Sequence, residues 1–167
     1  TLLTSDVSSS AIDWDVVGHG DEWLVDENTY CMALNIYHES RSENLAGKFA
    51  VADVVMNRVY DRRDPHTICS VIYQAEMKPS WKDPLDMIPV RNRCQFSWYC
   101  DGKSDEPAES DAWNESLLVA HQSINEGRMA GITEGATHYH TTSIEPYWAS
   151  SLNQIGTIGS HIFYRAD

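Results

Sequence analysis

Apolar residues recur at helical spacing in two adjacent stretches of the first third of the chain. The first stretch repeats them every three or four residues, as expected for a helix with one core-facing side. The residues of that side are Tyr30, Ala33, Leu34 and Tyr37. Asp26 precedes this stretch and belongs to the residue types that cap helices, so the pattern predicts a helix over about 27–41. The second stretch, from Leu45 to about Val59, is rich in Ala and Val on nearly every side, which predicts a helix buried on more than one face.

Two more helices are predicted after this pair. Pro65 ends the helical pattern because proline cannot continue the hydrogen-bond ladder, and Thr67 can cap a short helix after it. Residues of about 108–127 carry the most regular helical pattern, which Gly127 stops. Its inward positions are Ala112, Trp113, Leu117, Leu118, Ala120, His121 and Ile124. The fold class we expect is therefore mainly α, of the α+β type, as a single domain.

The helical pattern is absent from about residue 77 to 102. Three prolines interrupt this stretch, and we predict a long irregular segment, which in a compact domain is more often functional than idle. Aromatic side chains beside amide and hydroxyl groups suit a sugar-binding wall, although the same aromatics can also fill a satellite core. The residues concerned include Trp81, Gln95, Phe96, Ser97, Trp98 and Tyr99.

Glycines divide the last part of the chain into short segments rich in Thr, Ile, His and Tyr. They predict a short extended or small β tail laid against the helices. Alternation along a strand would put His138 and His140 on one side, and Tyr139 and Thr141 on the other. At the other end, residues 1–25 mix Ser and Asp with scattered tryptophans, and we predict an N-terminal arm that docks through them. The remaining residues, 26–167, then form the one folded domain.

Composition limits the size of the protein and its partners. The chain has 167 residues, of which 42% are hydrophobic, enough for one domain with a substantial core. Its net charge of −13 argues against nucleic acid, because phosphate binding depends on Lys and Arg. The first residues lack a basic n-region and an apolar h-region, so we expect no signal peptide in the chain as given. No apolar run approaches the roughly 20 residues that cross a bilayer, so we expect no membrane insertion. We favour a monomer.

The four cysteines contain no Cys-x-x-Cys pair, so a thiolate zinc site is not expected. Of the three possible disulfide connectivities, we favour one that joins Cys94 to Cys100 and closes a short loop. Cys31 and Cys69 are then either paired or buried as free thiols. We expect neither a metal nor another cofactor.

Five ordered blocks of sequence resemble the cell wall hydrolases typified by the spore cortex-lytic enzyme. They lie between about residue 30 and residue 164. The blocks are Ile36-Tyr37-His38-Glu39-Ser40-Arg41-Ser42-Glu43, residues 47–59, Cys94-Gln95-Phe96-Ser97-Trp98, Ala136-Thr137-His138-Tyr139-His140, and residues 158–164. The usual family motif is Tyr-Gly-Glu-Ala-Arg-Gly-Glu; this chain keeps both glutamates, Glu39 and Glu43, and the arginine between them. The pair Glu39-Ser40 is also similar to the Glu-Ser motif of lytic transglycosylases.

The resemblance implies a lysozyme-like, lytic-transglycosylase-like domain that cleaves peptidoglycan glycan strands between N-acetylmuramic acid and N-acetylglucosamine. Glu39 would be the general acid and then the base, because burial beside Ile36 and Tyr37 can keep a carboxyl protonated near neutral pH. The product is either a 1,6-anhydro sugar, as in a lytic transglycosylase, or a reducing end, as in a muramidase. The residues expected to bind substrate are Glu43, Gln95, Ser97, Trp98, His138, Tyr139, His140 and His161.

Some roles stay open at this point. Glu43 could instead be a structural acid paired with Arg41 or Arg58. The alternative enzyme is a metal-dependent peptidoglycan amidase or peptidase using three histidines, His138, His140 and His161. A non-catalytic glycan-binding module is the other alternative; its stacking residues would be Trp81, Trp98, Tyr99, Trp113, Tyr139 and Trp148. The enzyme would act on the bacterial cell wall, either secreted or periplasmic, or as a phage endolysin released from the host cytoplasm by a holin.

Overall fold

The computed structural model describes residues 25–167, so the predicted N-terminal arm lies outside the described residues. The helices of this range are α1 (Glu27–Ser40), α2 (Leu45–Tyr60), α3 (Ile68–Ile72) and α4 (Ser110–Asn125). The strands are β1 (Ala75–Pro79), β2 (Met87–Cys94), β3 (His138–Thr141), β4 (Asn153–Ile158) and β5 (His161–Arg165). Single 3₁₀ turns occupy Ser97–Cys100 and Ala149–Ser151. Within residues 25–167, no helix is long and apolar enough to cross a membrane.

The helix ends follow the capping residues in the sequence. The Asp26 carboxylate accepts a hydrogen bond from the Thr29 backbone N–H at 2.8 Å, and α1 begins at the next residue. The Thr67 hydroxyl caps α3 in the same way. Gly127, which follows α4, has a φ of +62°, a backbone conformation that favours glycine. One predicted core-facing position of α1 is wrong: Tyr30 is 40% exposed and meets Trp113 only edge to face.

Helices α1, α2 and α4 pack around a shared apolar core, and α3 closes one end of it. The predicted burial of α2 on more than one face is confirmed, because its residues from Gly47 to Val55 are all buried. Some of them, such as Phe49 and Val55, face the helical core. Ala50 and Val54 contact Phe163 of the sheet instead. Helix α2 therefore joins the helical layer to the sheet.

The predicted irregular segment is wrong in its first part, where β1 and β2 form an antiparallel hairpin. Met77 pairs with Pro89, and Pro79 pairs with Met87. Prolines are tolerated because each strand of a two-stranded sheet keeps one free edge that needs no N–H donor. Most side chains of this hairpin are exposed, so it stands away from the core. The chain then enters the 3₁₀ turn that carries Trp98.

The tail forms a three-stranded antiparallel sheet in the order β3-β5-β4, as predicted in outline. Tyr139 pairs with Phe163, and Thr141 pairs with His161. Because paired residues share a face, Tyr139, Phe163 and His161 lie on the side that meets the helices. His138 and His140 lie on the opposite side.

Two disulfides tie the chain together. The predicted bond between Cys94 and Cys100 is confirmed, and it closes the loop that holds the 3₁₀ turn. Cys31 and Cys69, whose state the sequence left open, are also joined. This second bond fastens α1 to α3.

Candidate active site

Glu39 lies in the last turn of α1, where the helix leaves the core. The seven residues before His38 are all buried, so the helix is fixed on its inner side. The helix ends beside the sheet, and the Tyr139 hydroxyl of β3 donates a hydrogen bond to Glu39 Oε1 at 2.6 Å. A short bond of this length is typical of a hydroxyl that faces a carboxylate. The sequence prediction thus put two residues in one site that lie 100 positions apart.

The surroundings of Glu39 act on its ionisation in opposite directions. Burial raises the pKa of the Glu39 carboxyl, and this is the largest effect. The Tyr139 hydrogen bond and the positive charge of Arg58 both oppose it by stabilising the carboxylate. Burial and the neighbouring Glu39 raise the pKa of Tyr139 well above its ordinary value, so its hydroxyl remains a donor. The site can therefore hold Glu39 either protonated or ionised.

Arg58 is a functional candidate that the sequence analysis named only as a possible partner of Glu43. Its side chain is buried at 3% exposure, and its Nε donates to the Thr137 carbonyl at 2.6 Å, just before β3. With its amide oriented so that oxygen faces the donor, Gln95 accepts from the same guanidinium at 3.0 Å. The guanidinium carbon also lies 5.4 Å from the Phe96 ring centroid. The signal in the sequence was a single arginine near the end of a helix rich in Ala and Val.

The predicted sugar-binding block around Trp98 is divided between surface and core. Trp98 is buried; its indole N–H donates to Asn35 Oδ1 at 2.8 Å, and its ring stacks on His38. Trp98 therefore supports α1 one turn before Glu39. Gln95 and Ser97 are exposed, and Gln95 reaches the site through Arg58.

Glu43 pairs with neither Arg41 nor Arg58 but with the turn between β4 and β5. Its carboxylate accepts from the Ser160 backbone N–H and from the Ser160 hydroxyl, both at 2.8 Å. Its Oε1 also lies 3.6 Å from Nδ1 of His161. The hydrogen bonds to Ser160 lower the pKa of Glu43, which keeps it ionised.

The three histidines of the proposed metal site do not converge. His138 and His140 contact Trp148 on the outer face of the sheet, whereas His161 contacts Tyr139 on the inner face. His140 is also fully engaged: its Nδ1 donates to the Thr141 carbonyl, and Tyr164 bonds its Nε2 at 2.7 Å. Across residues 25–167, no group of three or more His, Cys, Asp or Glu side chains could hold a metal ion. The ligand set of the alternative enzyme is therefore wrong, because the register of β3 on β5 separates its members.

The aromatic residues of the binding-module alternative belong to separate clusters. Trp113 meets Tyr37 edge to face beside α1, and Trp148 packs on the outer face of the sheet. Trp81 is 86% exposed near the tip of the β1–β2 hairpin. In the described chain these rings do not form one continuous platform for a sugar chain.

Comparison with known proteins identifies the family. The family model described as Cell Wall Hydrolase matches residues 42–164, which is more than half of the chain. The chain belongs to the cell wall hydrolase family. A search of curated proteins finds no match.

Two solved structures share the fold of this cell wall hydrolase. The first is the catalytic domain of the germination-specific lytic transglycosylase SleB from Bacillus anthracis, with 25% identity and a TM-score of 0.59. The comparison covers 84% of this chain and 96% of that one. The second is the catalytic domain of the SleB protein of Bacillus cereus, with 25% identity and a TM-score of 0.51 over 84% of this chain and 91% of that one. The expected family and lysozyme-like α+β fold are therefore confirmed.

Proposed function

We propose that this chain cleaves the glycan strands of peptidoglycan between N-acetylmuramic acid and N-acetylglucosamine, as a lytic transglycosylase centred on Glu39. The observation that carries the proposal is the Glu39 carboxyl, half-buried at the end of α1 with the Tyr139 hydroxyl 2.6 Å away. Membership of the cell wall hydrolase family supports the substrate class. The likeness to a domain titled a lytic transglycosylase supports the reaction type.

In the first step, protonated Glu39 donates its proton to the glycosidic oxygen. The bond between that oxygen and C1 of the muramic acid breaks, and N-acetylglucosamine leaves with the proton as its new hydroxyl. Glu39 is then a carboxylate opposite a cationic sugar. The Tyr139 hydrogen bond and the charge of Arg58 favour this carboxylate, so they promote the proton transfer after burial has kept the acid protonated.

In the second step, the Glu39 carboxylate takes the proton of the C6 hydroxyl of the same muramic acid. The freed O6 bonds to C1, which closes the 1,6-anhydro ring and returns Glu39 to its protonated state. A retaining hydrolase would need a second carboxylate about 5–5.5 Å away as nucleophile. Glu43, the nearest glutamate in sequence, is held by Ser160 through both oxygens, which favours the intramolecular reaction.

The disulfides agree with action at the bacterial wall. Such bonds form and persist in secreted and periplasmic proteins, and are rare in the reducing cytosol. Both pairs lie in the catalytic domain, on α1 and beside the 3₁₀ turn of Trp98. We propose that the enzyme folds and acts outside the cytoplasm, on its glycan substrate and as a monomer.

Mass spectrometry of the soluble products from intact peptidoglycan tests the proposal. The purified protein and its Glu39→Gln variant would be compared, each with and without a chelator. Muropeptides ending in 1,6-anhydromuramic acid, formed with chelator present and absent with the variant, are the expected result. Reducing-end muramic acid would make the protein a muramidase, and stem peptides released from intact glycan would refute glycan cleavage.

A further inference from the structure

We propose that Glu43 is a positioning residue for this reaction: it holds the β4–β5 turn against the start of α2 and so keeps Tyr139 in place against Glu39. The inference rests on the proposed role of Glu39. It gives the second glutamate of the sequence motif a role other than that of a second catalytic carboxylate or a sugar ligand.

Glu43 binds the β4–β5 turn through both of its carboxylate oxygens. One oxygen accepts from the Ser160 backbone N–H and the other from the Ser160 hydroxyl, both at 2.8 Å. The side chain is 12% exposed. A carboxylate that uses both oxygens within the protein is poorly placed to act on a substrate, but well placed to fix the position of a backbone segment.

Glycines on both sides allow this close approach. A Cβ on Gly159 would lie 2.3 Å from Glu43 Oε1, and the backbone there has a φ of +59°. A Cβ on Gly47 would lie 2.9 Å from the Glu43 Cβ. Both distances are shorter than real Cβ contacts, so the chain leaves room for the Glu43 side chain between α2 and the turn.

The turn is linked to the catalytic acid through two aromatic rings. His161 follows Ser160 in the chain, is 4% exposed, and lies edge to face with Tyr139 at a centroid distance of 5.0 Å. Tyr139 in turn donates to Glu39 at 2.6 Å. Because packed rings move together, a shift of the turn would shift the Tyr139 hydroxyl away from the carboxylate.

Two substitutions of Glu43 separate positioning from acid–base chemistry. Glu43→Gln can remake both bonds, since its amide oxygen can accept from the Ser160 N–H and its NH₂ can donate to the Ser160 hydroxyl. We expect kcat of this variant to stay within about threefold of the parent. Glu43→Ala removes both hydrogen bonds to Ser160, and we expect kcat to fall on the order of tenfold to a hundredfold, with KM little changed.

The pH profile of kcat/KM provides a second readout. The groups facing Glu39 are Tyr139 and Arg58, and those facing Glu43 are Ser160, His161 and Lys48. Loss of the Tyr139 bond removes a stabiliser of the Glu39 carboxylate and raises the pKa of Glu39. The alkaline limb of the kcat/KM profile, which Glu39 sets, should therefore move to higher pH in Glu43→Ala. Tyr139→Phe should move it in the same direction, and the double variant should move it no further. A fall in the folded fraction alone would lower the rate at every pH without moving the limb.

Two further variants serve as control and as substitute for Glu43→Ala. Glu145→Gln, at an exposed loop glutamate, should behave like the parent. If Glu43→Ala does not fold, Ser160→Ala serves in its place, because it removes one of the two bonds and leaves the backbone donor.

Equal losses in Glu43→Gln and Glu43→Ala, on the order of 10²-fold or more, would make Glu43 a catalytic carboxylate and overturn the proposal. Parent-like activity and pH profile in Glu43→Ala, or in Ser160→Ala where that variant replaces it, would overturn it as well. Activity retained by Glu39→Gln would instead refute the proposed function itself.

Discussion

Tyr139→Phe tests most directly how hydrogen bonding tunes Glu39, the proposed catalytic acid. The substitution removes one hydroxyl and leaves the ring that packs on His161 and Phe163. The lost bond is 2.6 Å long and runs to a carboxylate, and hydrogen bonds to charged groups contribute about 1.5–3 kcal/mol. Because the bond stabilises the ionised form, its loss should weaken Glu39 as an acid by roughly tenfold or more, at 1.36 kcal/mol per factor of ten.

The sign of the change follows from the roles of burial and hydrogen bonding. Burial already raises the pKa of Glu39, and the Tyr139 bond lowers it, so removing the bond raises it further. The variant should keep Glu39 protonated to a higher pH, and the alkaline limb of kcat/KM should shift upward. Turnover should fall at the same time, because the carboxylate formed after proton donation has lost a donor.

The assay is the rate of soluble muropeptide release measured across pH. Tyr164→Phe is the matched control, since it removes a tyrosine hydroxyl from the same sheet on the opposite face, where that group bonds His140 at 2.7 Å. A shift of the limb in Tyr139→Phe but not in Tyr164→Phe is expected. An unmoved limb in Tyr139→Phe would refute the view that this hydroxyl tunes Glu39.

Three further predictions concern stability and metal dependence. Arg58→Leu should slow turnover and lower the free energy of unfolding by about 1–3 kcal/mol in a denaturant titration, because the Thr137 carbonyl loses its donor. Replacing Cys31 and Cys69, which are 38 residues apart, by serine should lower the free energy of unfolding by about 4 kcal/mol on the loop-entropy model. The same replacement at Cys94 and Cys100, which are 6 residues apart, should lower it by about 2 kcal/mol. The same titration compares them, and a reversed order would contradict the model. A chelator should leave the initial rate of product release unchanged, because the proposed steps use only side chains; a lost rate restored by added metal would contradict them.

The helical part of the fold could be predicted because its signals are local. Asp26 and Thr67 cap the helices that follow them, and the apolar spacing that defines α2 and α4 lies within a few turns of chain. Glu39 could be placed for the same reason, at the end of a helix whose apolar residues recur every three or four positions. The β1–β2 hairpin could not, because its prolines are typical of broken strands, and a two-stranded sheet with free edges relaxes that rule.

The partners of Glu39 could not be deduced from local pattern, because they depend on the pairing of distant strands. Alternation within β3 correctly separates Tyr139 from His138 and His140. It does not say which of the two faces meets α1, nor that His161 of β5 joins the face of Tyr139. That information resides in the register that pairs Thr141 with His161. A shift of one residue in this register would move the side chains of one strand to the opposite face of the sheet.

The same register explains why His140 of β3 and His161 of β5 make different contacts, although the two strands are neighbours. On the outer face, His140 is held between Thr141 and Tyr164 and stabilises the sheet. On the inner face, His161 lies between Glu43 and Tyr139, so its position depends on the turn that Glu43 binds. The second glutamate of the motif and the tail of the chain thereby act on one hydrogen bond. The two proposals together give a physical reason for the spacing of the two glutamates: the first would supply the proton, and the second, four residues on, would hold the strand whose tyrosine bonds the first.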